Sequence, residues 1–108
     1  MSEPPLSYFR DRIAVQANHP TRDTDGAEID NWTTQVEAWA SIEPLIGREY
    51  WGALSTQAEL SHKIRMRYRA GIAPAMRILF GARVFDILSV KDVGERRREL
   101  VLMCSESL

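Results

Sequence analysis

The chain has 108 residues, 44% of them apolar, enough for one modest core and too few for a second domain. Its 14 basic and 15 acidic residues leave a formal net charge of −1. The chain as a whole therefore lacks the cationic excess used for nonspecific attraction to nucleic acid or an anionic membrane. The single cysteine, Cys104, excludes an intrachain disulfide and a zinc site built on paired cysteines; within its apolar run it reads as a small core residue. No apolar run approaches the length of a membrane span, and Met1-Ser2-Glu3-Pro4-Pro5 shows no signal-peptide pattern. A reducing cytoplasm, or a particle assembled there, is the expected location.

Residues 1–11 read as a flexible N-terminal segment of a single domain spanning 1–108. Alternation then begins, the mark of half-buried strands. Ile13, Val15 and Ala17 face one way, and Arg12, Ala14, Gln16 and Asn18 the other. Residues 19–30, with Pro20 and Gly26 and almost no apolar content, read as a long mobile loop that orders against a neighbour. This loop carries the acidic cluster Asp23, Asp25, Glu28 and Asp30. From Asn31 a longer strand puts Trp32, Thr34, Val36, Ala38, Ala40 and Ile42 on one face, with Trp39 interrupting the polar side. After Pro44 the period changes. Ile46, Tyr50, Ala53 and Leu54 fall at helical spacing and predict one amphipathic helix of about three turns.

Strands resume with His62, Ile64, Met66 and Tyr68 alternating with Lys63, Arg65, Arg67 and Arg69. Ala70 to Ala75 makes a turn, and Met76, Ile78 and Phe80 form the inward face of a short strand. Gly81-Ala82 suits a two-residue hairpin, because a glycine in first place supplies the positive φ needed there. Arg83 to Val90 is apolar on both faces. Either it is covered on both sides or a bulge shifts its phase after Ile87. Lys91 to Arg97 reads as a loop, and the last strand places Leu100, Leu102 and Cys104 together. The expectation is a mainly β fold: a small antiparallel β-barrel or sandwich of about six strands with one α-helix.

Convergent titratable groups are sparse, so no catalytic residue, metal ligand or cofactor site is assigned. His62 reads as a core imidazole without a partner at metal-binding spacing. Asp23-Thr24-Asp25-Gly26 fails as a calcium loop, since Thr21 and Trp32 stand where the outer carboxylates of that register belong. The sharpest feature is the stripe of Lys63, Arg65, Arg67 and Arg69, which projects from one face of a strand. It suits phosphate backbone or the carboxylates of an adjacent subunit better than the alternative, an exposed barrel face whose like charges are spaced across solvent. Trp39 and Trp51 are candidate interface anchors, one of them the exposed member of its element.

The ordered segments Arg12-Ile13-Ala14-Val15-Gln16, Glu37-Ala38-Trp39-Ala40-Ser41-Ile42-Glu43-Pro44-Leu45, Gly47-Arg48-Glu49, Ile64-Arg65-Met66-Arg67-Tyr68-Arg69 and Phe85-Asp86-Ile87-Leu88-Ser89-Val90 resemble the head–tail joining family. These are the head-completion or stopper proteins of long-tailed phages. The closing Glu99-Leu100-Val101-Leu102-Met103-Cys104-Ser105-Glu106 fits as well. The resemblance implies a small β-barrel with one helix, assembled as a homo-oligomeric ring of six or twelve copies in the virion neck. It further implies a portal or adaptor protein above, a tail terminator below, double-stranded DNA in the channel, and assembly in the bacterial host cytoplasm without a membrane. The acidic loop becomes a channel, plug or partner contact, and the basic stripe a subunit interface or channel lining. The particle behind the resemblance is a phage, a prophage or a gene transfer agent. The alternative is a stand-alone small β-barrel that binds nucleic acid, and its motive is the basic stripe.

Overall fold

Alternating apolar positions give each strand one face that water disfavours, and six such strands bury those faces by closing on themselves. The computed structural model describes residues 9–45 and 60–107. Its strands are β1 (Asp11–Asn18), β2 (Thr21–Arg22), β3 (Glu28–Ile29), β4 (Trp32–Pro44), β5 (His62–Arg67), β6 (Arg77–Phe80), β7 (Arg83–Asp92) and β8 (Glu99–Ser107). The order β1-β4-β5-β8-β7-β6 forms a closed barrel. Closure runs through Ala14↔Leu79, Val15↔Ile78 and Gln16↔Arg77, antiparallel like every other pair in the ladder. Of the two architectures the strand count allowed, the barrel is the one formed, and closure leaves its central strands no free edge.

The inward positions are those the alternation marks. Ile13, Val15, Ala40, Ile64, Met66, Ile78, Phe85, Ile87, Leu100, Leu102 and Cys104 form one core, with Val36, Ala38, Ile42, Tyr68 and Phe80 packed against it. The phase of β7 changes where the register shifts between Ile87 and Ser89. Leu88 is the extra residue. Before it Phe85 and Ile87 point inward; after it Val90 takes over that face. A bulge therefore explains the doubly apolar run. A second shift, between Val15 and Gln16, lies where β1 leaves the barrel wall. The Gly81-Ala82 hairpin joins Phe80 to Arg83, with Gly81 at φ +60°.

Several boundaries differ from the sequence expectation. The helix expected from Ile46, Tyr50, Ala53 and Leu54 falls outside the described residues, as does Trp51; among those described, the one helical element is a 3-10 turn at Val93–Glu95. β7 runs on to Asp92, pairing Lys91 with Val101 and Asp92 with Leu100, so the loop begins later than Lys91. There the Asp92 carboxylate accepts from Arg97 N at 3.0 and 3.2 Å and closes the turn. Phe9 is buried and Asp11 opens β1, so the end of the segment set aside as N-terminal belongs to the barrel.

Candidate functional site

Residues 19–30 contain strands that the sequence pattern did not assign. β2 and β3 pair through Thr21↔Ile29 and Arg22↔Glu28, and His19 N donates to Asn31 O at 2.8 Å. The β1–β4 ladder thus continues past the barrel as a two-stranded ribbon. Every residue from His19 to Asn31 is exposed. Both faces meet water, so no apolar alternation marks these strands.

Its base and tip are held by polar contacts. At the base, Arg77 donates to Gln16 Oε1 at 2.8 Å and lies over the Trp32 ring, 4.2 Å from its centroid. Asn18 donates to Asp30 and accepts from Asn31 N. At the tip, Asp23 Oδ1 accepts from Asp25 N and Ala27 N at 2.9 and 2.8 Å, and Gly26 supplies φ +85°. The Asp23 carboxylate is thereby committed to the turn. Asp23, Asp25, Glu28 and Asp30 stand together on the ribbon.

The basic stripe does not stay together. Arg65 meets Glu43 at 3.2 Å and Glu99 at 3.6 Å, carboxylates supplied by the flanking strands β4 and β8. Lys63 lies beside Glu43 in the same ladder. Strand β5 ends at Arg67, so Arg69 leaves it, while Tyr68 N still donates to Arg98 O. The first half of the stripe is a cross-strand ion-pair face of the barrel.

Its second half joins a groove. Phe9, Arg12, Trp39, Met66, Arg67 and Arg69 are among the residues lining a depression of about 200 Å³ beside β1, β4 and the end of β5. Arg12 is paired with Trp39 across the ladder and its guanidinium lies 5.4 Å from that ring; Arg67 lies 5.8 Å from the Phe9 ring. Such contacts leave the cations facing outward while covering aromatic surface. Trp39 remains 49% exposed. The expected anchor at Trp39 is thus on the surface. Arg12 escaped the sequence reading because only the β1–β4 register brings it to Trp39, and Phe9 because it precedes the alternating run and meets Arg67 at the end of β5.

At one end of the barrel, Arg83 grips Glu106 with two hydrogen bonds of 2.8 and 3.0 Å, which holds that carboxyl below its ordinary range. His62 stands edge-on to Phe85, with ring centroids 5.0 Å apart. Its Nδ1 lies 2.9 Å from Ser61 Oγ and its Nε2 3.4 Å from Arg83. Burial is the main cause lowering the His62 pKa, opposed by Glu106 and aided by Arg83. A neutral ring that accepts from Arg83 and donates to Ser61 fits these contacts. This cluster closes the end of the core. Among the described residues no group of His, Cys, Asp and Glu is placed to hold a metal ion, and no helix is long and apolar enough to cross a membrane.

Comparison with known proteins gives the family. The model of the phage head completion proteins matches residues 5–107. Among solved structures, the solution structure of protein SF1141 from Shigella flexneri 2a is similar at 29% identity, covering 96% of this chain and 97% of that one with a TM-score of 0.70. A chain from the virion of a native gene transfer agent particle is 19% identical, covering 89% of this chain and 93% of that one with a TM-score of 0.60; that likeness speaks for the fold. None of the curated proteins matches the chain.

Proposed function

Because this chain belongs to the phage head completion proteins, we propose that it is the stopper subunit of a virion neck. Membership makes it a phage structural protein. In the proposed role, copies close into a ring of six or twelve below the portal and its adaptor. The ring retains packaged double-stranded DNA and presents the surface on which the tail terminator docks. Subunits are made and assembled in the bacterial host cytoplasm, and the finished ring resides in the neck. The likeness to a gene transfer agent virion chain keeps a domesticated, DNA-transferring particle within the proposal beside a phage or prophage.

The observation that carries the proposal is the family match along nearly the whole chain, ribbon included. The mechanism is geometric and electrostatic. A barrel that offers unlike surfaces, an acidic ribbon and a basic groove, can associate head to tail and close. The bore then carries whichever charge suits the passing of DNA. Of the basic stripe, Arg67 and Arg69 suit a subunit interface or the bore; Arg65 is engaged within its own subunit. That engagement and the net charge of −1 also weigh against the stand-alone nucleic-acid-binding barrel. An electron-microscopy reconstruction of intact particles tests the proposal. The expected result is a ring of this chain between portal and tail; its absence from the neck would overturn the assignment.

A further inference from the structure

We propose that the acidic ribbon of one subunit seats in the Arg12–Trp39–Arg69 groove of the next. The inference rests on the ring proposed above and names the contact that would close it. Charge is the first support. The ribbon carries Asp23, Asp25, Glu28 and Asp30 against the single cation Arg22, whereas Arg12, Arg67 and Arg69 line the groove against the single anion Glu37. Opposite potentials of this kind steer docking and fix its register.

Exposed apolar surface is the second support, and it is independent of charge. Among the described residues the large hydrophobics left exposed are Ile29 at 46% and Trp39 at 49%. One sits on the ribbon and the other on the groove. Each would gain a partner in the same contact, with the tryptophan as anchor.

Reach decides between a neighbour and the subunit itself. Trp39 and Ile29 lie on one chain that is extended through β4 and β3, with the pairing carried on by His19 and Asn31. At about 3.3 Å per residue the two side chains are about 30 Å apart along a hydrogen-bonded ladder. A ladder of that kind does not fold back on itself, so the groove's occupant is a second copy. Two different surfaces meet, which makes the association heterologous and able to close as a ring.

A charge swap in the full chain tests this by sedimentation velocity over a range of concentrations. One variant combines Asp25→Lys with Glu28→Lys, the other Arg12→Glu with Arg69→Glu; all four side chains are exposed, and circular dichroism checks that both variants fold. The native chain is expected to self-associate, and each variant alone at least about tenfold more weakly. An equimolar mixture of the two should recover association, because every reversed ribbon then finds a reversed groove. Variants that associate like the native chain, or a mixture that stays dissociated, would overturn the ribbon–groove contact while leaving the ring standing. A native chain that remains monomeric at every concentration would overturn the contact as one that subunits make by themselves, whereas the ring itself falls only if the chain is absent from the neck of intact particles.

Discussion

Cys104 shows how one atom's burial becomes a property of the whole fold. On the inward face of β8 the residue has no exposed surface, and burial, with a smaller push from Asp86, raises its thiol pKa from 9.0 to about 12. The unfolded chain loses this proton near pH 9 and the folded chain keeps it. Unfolding therefore releases a proton in the window between those values, and stability falls as pH rises, by up to about 1.4 kcal/mol per pH unit. Urea unfolding of the native chain and of Cys104→Ala at pH 8, 9.5 and 10.5 should show the native curve falling more steeply. Parallel curves would mean that the thiol is reached by water in the fold. Arg65 makes the opposite point at the same scale. It reads as one of four equivalent cations in a stripe, and what distinguishes it is a pair of carboxylates on strands distant in sequence.

At the scale of elements, the bulge at Leu88 lets β7 serve two parts of the barrel. Side chains alternate with period two, so one added residue exchanges the faces of everything after it. Deleting Leu88 would leave Ser89 opposite Met103 and Val90 opposite Leu102 as they stand now, with Val90 still inward, and would remove only the bulge. The deletion variant should keep the dispersed amide spectrum of a folded barrel. Loss of that spectrum would show that the barrel needs the bend the bulge puts into β7. The ribbon is the contrasting element. It contributes nothing to the core cluster, and its strands are held by backbone pairing, the clamp at Asn18 and the turn at Asp23.

For the molecule as a whole, this division separates stability from function. Replacing residues 19–31 by Asn-Gly would join Asn18 to Trp32, a pair already facing each other, through a turn that matches strand twist. The unfolding free energy should change by no more than about 1 kcal/mol, since no core side chain is removed. Particles built with this shortened chain should lose infectious yield if the ribbon makes the contact between subunits. Unchanged yield would assign the ribbon no part in assembly, and strong destabilisation would make it a structural element of the barrel.

Sequence alone determined the strands that have a wet and a dry face: β1, β4, β5, β6, β7 and β8, their inward residues and the Gly81-Ala82 hairpin, and it left the phase change after Ile87 as one of two readings. Burial imposes a period of two on such strands, and that period survives in the order of residues. The tertiary structure decided the rest. The ribbon carries no period because both its faces are in solvent, so only continuation of the β1–β4 pairing reveals it as β-structure. The division of the basic stripe depends on which strands flank β5, and the groove on the register that sets Arg12 beside Trp39. Residues far apart in sequence meet there through hydrogen bonds of the backbone, which every residue type except proline makes alike and which therefore leave little mark in composition.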